Sequence, residues 1–159
     1  MFKSIFALAF IISAHFYGLF VVLPVLSVYA KDFNDASGVI IGLIVGSYAL
    51  AQIIFQVPFG RLSDKIGRKN TLALGLCIFF TGSLTCALAN NEYIMILGRF
   101  IQGAGAIGGV ASAFVADLSK TNERGRVMAI MGVGMGFSFS VAMISGPILA
   151  SKFGLSALF

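Results

Sequence analysis

Only a handful of residues in this sequence could do chemistry, and where they stand limits what that chemistry is. Arg99 is the single charge between Tyr93 and Ala116, the seventh residue of that stretch. In a helix rising about 1.5 Å per residue it would lie about 10 Å deep in a bilayer, where a charge costs roughly 2.5–3.5 kcal/mol. Two readings meet that cost: the side chain snorkels to the outer interface, or it sets the proton affinity of a neighbouring acid or binds an anionic group. Gln102 and Gly103 follow three and four positions on and share its helical face. His15 lies near the middle of the uncharged stretch between Lys3 and Lys31, and no Asp or Glu falls inside any long apolar stretch. Imidazole titrates near neutrality, so His15 is the one group there able to exchange protons at ordinary pH without a large shift. A neutral histidine bonded to a backbone carbonyl fits equally well. Gln52 and Gln56, one turn apart, either line a substrate path or bond neighbouring helices. One histidine, no nucleophile elbow, no zinc-ligand spacing and no buried carboxylate pair argue against an enzyme and against any metal or cofactor. A channel lacks its filter or charged ring.

The elements that must position these residues are read from composition. The 159 residues are 58% hydrophobic and 11% charged, with a mean hydropathy of +0.99. Soluble domains carry charge on about a quarter of their residues. The apolar residues come in blocks long enough to cross about 30 Å of hydrocarbon, which takes roughly 20 helical residues. Spans are expected at about 4–30, 37–60, 70–89, 93–116 and 127–151, with a sixth begun from about 153 and cut short. The blocks are apolar on all faces rather than alternating, so the expected class is an all-α polytopic membrane bundle and not a β-barrel.

Charge fixes the direction. Lys3, then Arg61, Lys65, Arg68 and Lys69, then Lys120, Arg124 and Arg126 fall on one side of the spans, against Lys31 and Lys152 on the other. The positive-inside rule places the N-terminus and both rich loops in the cytoplasm of an inner or plasma membrane. The net charge of +5 and pI near 9.5 are then a matter of topology, and no nucleic-acid partner is expected. Cys77 and Cys86 are nine positions apart in one span, too far along a helix to bridge. Small residues four apart, at Gly42/Gly46, Gly105/Gly109 and Gly132/Gly136/Ser140, mark expected helix contacts.

The stretch Gly60-Arg61-Leu62-Ser63-Asp64-Lys65-Ile66-Gly67-Arg68-Lys69 reads as a ten-residue connection that makes the second and third helices antiparallel neighbours. Gly67 is free there to take a left-handed turn. A second charged cluster, Asp117, Lys120, Glu123, Arg124 and Arg126, follows the fourth span.

The 60–69 stretch resembles the loop signature of the major facilitator superfamily, GxLaDrxGRk, with every key position present. Arg99 to Ala106 is similar to the family's RxxQGxGA motif, and Gly146-Pro147 to the motif of its drug:proton antiporter branch. Ala142, Ala150 and Ser151 stand near places where that motif has glycine. Gly18 with Pro24-Val25 fits the branch's first helix, and Val22 to Lys69 most resembles its YajR-type members. The resemblance implies two six-helix halves, of which this chain supplies the N-terminal one: five complete spans and the start of a sixth. It implies proton coupling through Arg99, and a cytoplasmic interlock of Gly60, Asp64, Gly67, Arg68, Lys69 and Asp117. In that interlock Arg68 pairs with Asp117, while Asp64 faces a helix N-terminus of the missing half. The function implied is proton-coupled efflux of small molecules or drugs by alternating access. A sugar or metabolite porter of the same superfamily, or a truncated non-transporting half, is the alternative. The partners are then a small-molecule substrate, protons, the lipid bilayer and the missing half.

Overall fold

The computed structural model describes residues 2–29 and 38–159, with side chains described for 6–26 and 38–159. The expected outer loop with Lys31, the end of the first span at 30 and the start of the second at 37 lie outside the described residues. The described chain forms α1 (Phe2–Tyr29), α2 (Gly38–Ile66), α3 (Arg68–Ala87), α4 (Glu92–Ala104), α5 (Ile107–Leu118) and α6 (Arg124–Phe153), then a 3₁₀ turn at Leu155–Leu158. Hydrocarbon cannot bond exposed amides, so each apolar run must satisfy its backbone internally as helix. Pro24, Pro58 and Pro147 sit inside helices nonetheless. Among the described residues five helical stretches are long and apolar enough to cross a membrane, the fourth being α4 and α5 together. The chain is an all-α polytopic bundle.

Two connections differ from expectation. The ten-residue link is helix on both sides of one residue: α2 runs to Ile66, α3 starts at Arg68, and only Gly67 intervenes, at φ 89°. Nothing between Arg61 and Ile66 breaks a helix, and Ser63 Oγ donates back to the Gly60 carbonyl at 2.7 Å. Asn70 Nδ2 donates to the Ile66 carbonyl at 2.9 Å, closing α2's last turn, while the Thr71 amide and hydroxyl both donate to the Gly67 carbonyl. The fourth span, expected as one helix, is broken at Gly105 and Ala106. Their amides reach only three residues back, to the carbonyls of Gln102 and Gly103. No proline causes this. A Cβ on Gly103 would collide with the Tyr48 backbone of α2, and one on Gly105 would stand 2.5 Å from the Gly75 carbonyl oxygen of α3. Two backbones press on the span from either side of the break.

The glycine contacts also differ. Around Gly42, Gly46, Gly132 and Gly136 an added Cβ meets nothing within 4 Å, whereas at Gly75, Gly82, Gly98, Gly103 and Gly146 it meets a neighbouring helix. Spacing marks a small-residue face but does not turn that face inward. The close approaches bring α2 and α3 onto α4, and α1 onto α6.

The buried apolar residues form two clusters. One joins Leu8 and Ile12 of α1, Phe59 of α2, Leu72 of α3, Val110, Ala111 and Val115 of α5, and Val127 and Met131 of α6, together with Ala106. The other joins Val21, Val22, Val25 and Leu26 of α1, Ile44, Cys86, Met95, Ala142, Ala150 and Leu158. On each helix that reaches both, a buried polar or ring residue lies between them in sequence: His15, Tyr48, Ser83 and Ser138. Arg99 and Gln102 occupy the same interval on α4. A polar belt separates two apolar halves.

A methyl group at Gly82 would stand 2.6 Å from the Gln102 Cα. Gly82→Ala is therefore expected to cost about 1–3 kcal/mol through overpacking. Gly46→Ala, with open space around it, leaves the unfolding midpoint in detergent unchanged; equal midpoints for the two variants would refute the α3–α4 close approach.

Candidate functional site

Arg99 is only 1% exposed, so its head does not snorkel to an interface. Its Nη1 donates to Gln102 Oε1 at 2.7 Å, one turn along α4, and Gln102 Nε2 donates to Ser83 Oγ of α3 at 2.8 Å. The guanidinium carbon lies 4.9 Å from the centre of the Tyr48 ring of α2. Gly82, Gly98 and Gly103 permit this, each removing a side chain where α3 or α2 comes within contact of α4. A hydrogen bond to a charged group is roughly twice as strong as a neutral one, and a desolvated cation–π contact adds about 2 kcal/mol. Among the described residues no carboxylate neutralises the charge, and Arg99 Nε has no hydrogen-bond partner.

His15 is also buried, and its Nδ1 has no partner among the described residues. No hydrogen bond from its ring to a backbone carbonyl is present there. Its ring lies 4.2 Å from that of Phe79 on α3 and 5.7 Å from that of Phe16. Phe79 in turn abuts Gly105, where the fourth span breaks. No hydrogen bond or ring contact joins His15 to Arg99. Their two unpartnered nitrogens are the orphaned buried side-chain polar atoms of the described residues.

Gln52 is half-buried and Gln56 exposed, with the Gln56 amide 3.6 Å from where a Cβ on Gly109 would be. Neither makes a side-chain hydrogen bond among the described residues.

A second constellation surrounds the α2–α3 turn. Arg68 Nε donates to Asp117 Oδ2 at 2.9 Å, across to the last turn of α5, and Arg68 Nη1 pairs with Asp64 Oδ1 at 2.7 Å, one turn back. The same Nη1 also donates to Ser63 Oγ. The side chains are partly exposed, 25% for Arg68, 65% for Asp64 and 55% for Asp117. Gly60 accepts the Ser63 bond, Gly67 makes the turn, and Lys69 is exposed at the edge of a 570 Å³ groove walled by Leu8, Leu72 and Phe114.

At the far end of α6, Gly146 packs on the Val21 backbone of α1 beside Pro24, and Tyr17 and Ser145 share a 2.9 Å hydroxyl contact one residue away. Pro147 faces outward. Cys77 and Cys86 are both free.

Tyr48 and Ser83 were not foreseen from the sequence. The signal was available: a buried arginine needs acceptors and a ring at its own depth, and Tyr48 and Ser83 are polar residues inside the apolar α2 and α3.

The sequence profile of the major facilitator superfamily matches residues 8–159. The chain is 43% identical over 157 residues to the inner membrane transport protein YajR of Escherichia coli (strain K12), covering 99% of itself and 35% of that protein. It is 45% identical over 142 residues to an uncharacterized transporter of Buchnera aphidicola subsp. Schizaphis graminum, covering 89% of itself and 36% of that protein. With the quinolone resistance protein NorA of Staphylococcus aureus it shares 32% identity over 150 residues, 93% of itself and 38% of that protein. The chain thus spans a little over a third of the length of these relatives.

Gln102→Leu leaves Arg99 without its acceptor and is expected to lower stability in detergent by about 3 kcal/mol. A double-mutant cycle on Arg68 and Asp117 is expected to give a coupling of no more than about 1 kcal/mol, because the pair is exposed. A larger coupling at Arg68–Asp117 than loss at Gln102 would invert that ranking.

Proposed function

The chain belongs to the major facilitator superfamily, and from that premise we propose that it forms the N-terminal part of a proton-coupled exporter of small molecules working by alternating access. The observation that carries this is Arg99: a guanidinium buried inside a membrane span, held by three helices, with its Nε–H unpartnered among the described residues. A fixed positive charge favours the ionised form of any acid brought beside it, which is how such a residue sets when a proton is taken up or released. His15, buried with an unpartnered Nδ1 on α1, would be the second group of the proton path. Efflux is favoured by similarity to a quinolone resistance protein, and an inner-membrane location by similarity to an inner membrane transport protein.

Substrate would bind near the midplane between this part and a second six-helix half, with Gln52, Gln56 and Gln102 on the walls or behind them. The end that holds the α2–α3 turn would face the cytoplasm, following the excess of Lys and Arg there. Gly60, Asp64, Gly67, Arg68, Lys69 and Asp117 would form the lock at that end, opened as the transporter turns inward. Gly146 and Pro147 would shape the α1–α6 seam as the antiporter motif. No covalent step, cofactor or metal enters this mechanism.

The test is proton flux in vesicles holding this chain joined to a second six-helix half, under a pH gradient, on addition of a panel of lipophilic compounds. Arg99→Ala, inserted to the same level, is expected to lose at least about tenfold in rate, roughly 1.4 kcal/mol or more. Asp64→Ala is expected to abolish transport while leaving insertion intact. Wild-type rates in both variants would overturn the proposal.

A further inference from the structure

A guanidinium can be satisfied at its rim and left bare on its faces. Its N–H groups all lie in one plane, so hydrogen bonds reach only the edge, and a buried face needs a group of another kind. Arg99 Nη1 donates to Gln102 Oε1 at 2.7 Å, and that bond leaves the plane free to turn about the line joining the two atoms. The polarity of the contact is settled from α3. Gln102 Nε2 is spent on Ser83 Oγ at 2.8 Å, and turning the amide over would set a donor against a donor. What stays open is the tilt of the plane, and with it the direction of Nε–H, which has no partner among the described residues.

One group stands against a face. The Tyr48 ring of α2 lies with its centre 4.9 Å from the guanidinium carbon, and Tyr48 is 6% exposed. Its hydroxyl makes no hydrogen bond among the described residues, so what it offers Arg99 is the ring. This large buried side chain joins neither apolar cluster. Nor can the ring back away. A Cβ on Gly103 would collide with the Tyr48 carbonyl, so α2 is seated on α4 at that residue, and Ile44 and Ala51, a turn to either side, are fully buried. The titratable groups facing Arg99 are Tyr48 from α2 and Cys86 from α3; among the described residues no carboxylate and no second cation does so.

The geometry points to Tyr48 as a positioning residue, a ring laid against one face of Arg99 that fixes the tilt of the guanidinium and so the direction in which its charge and its unpartnered N–H are presented. A cation is drawn to a ring face by the ring's quadrupole, and more strongly where water is excluded. Resting on the proton coupling proposed above, the inference adds that Tyr48, acting through Arg99, sets the pH at which transport takes up and releases its proton. The electron-rich face does this, and not the hydroxyl or the bulk of the side chain.

The experiment changes the face and keeps the shape. Tyr48→Phe drops the hydroxyl, and phenylalanines with progressively more ring fluorines at position 48 keep the size while draining electron density from the face. The first readout is the pH midpoint of substrate-driven proton flux, in vesicles holding this chain joined to a second six-helix half. It is expected to match wild type in Tyr48→Phe and to rise with fluorination, by about one pH unit at the highest, because a loosened guanidinium favours the ionised form of its acid less. The second is the Arg99 Nε–H magnetic resonance signal of the same protein in lipid nanodiscs, isotope-labelled at arginine Nε and assigned by its loss in Arg99→Lys. It is expected to be single and narrow in wild type and Tyr48→Phe, and to broaden or split as fluorines are added. A midpoint already displaced in Tyr48→Phe would put the effect in the hydroxyl, and a midpoint and line width indifferent to fluorination would reduce Tyr48 to packing. Either result overturns the assignment and leaves proton-coupled transport standing. If wild type moves no protons the transport reading falls, and the line width alone decides whether Tyr48 positions Arg99.

Discussion

A guanidinium cannot sit in hydrocarbon unless other groups come to it, and much of this bundle follows from that requirement. Arg99 takes an acceptor from its own helix, a ring from α2 and, through Gln102, a hydroxyl from α3. Three helices must therefore converge at one depth, and Gly82, Gly98 and Gly103 supply the clearance. In water such a contact set would be one among many. In a lipid-solvated bundle, where burying leucine against leucine gains little over leaving it among acyl chains, close backbone packing and polar ties are what fix helix positions.

The same constraint explains why the core is two clusters rather than one. Apolar side chains fill the bundle on either side of the belt, and the belt is where helices are pinned rather than merely packed. Large apolar residues such as Ile53, Val57, Phe137 and Ile144 remain exposed, as expected of surfaces whose solvent is hydrocarbon.

Much of the fold was legible in the sequence, because uncharged runs of some twenty residues admit little besides membrane helices. Arg99 and the charges around Gly67 were legible for a related reason: a charge in or beside such a run is costly and so conspicuous. What escaped was set by neighbours. The break at Gly105 depends on the α2 and α3 backbones that flank it, the Gly42/Gly46 face depends on which way α2 is turned, and Ser83 looks like any serine until Gln102 reaches it. The 60–69 stretch misled for a subtler reason. Its charges suggested a solvated loop, yet no residue before Gly67 stops a helix, and charged residues near a helix end are content to remain helical.

That single-residue turn has a consequence for how the chain can change length. With only Gly67 between α2 and α3, the rotational phase of α3 is tied to that of α2 by one pair of backbone angles. One inserted residue would turn α3 by about 100° and advance it by about 1.5 Å. Gly75, Gly82 and Ser83 would all rotate out of place together, and Leu74 and Thr81 would stand where the two glycines leave room for the fourth span. The turn is a ratchet tooth in the register of the bundle: side chains around it can be exchanged one at a time, but a residue cannot be added or removed without unseating the buried charge some twenty-five ångströms along the helix, about the length of the sixteen residues from Gly67 to Ser83.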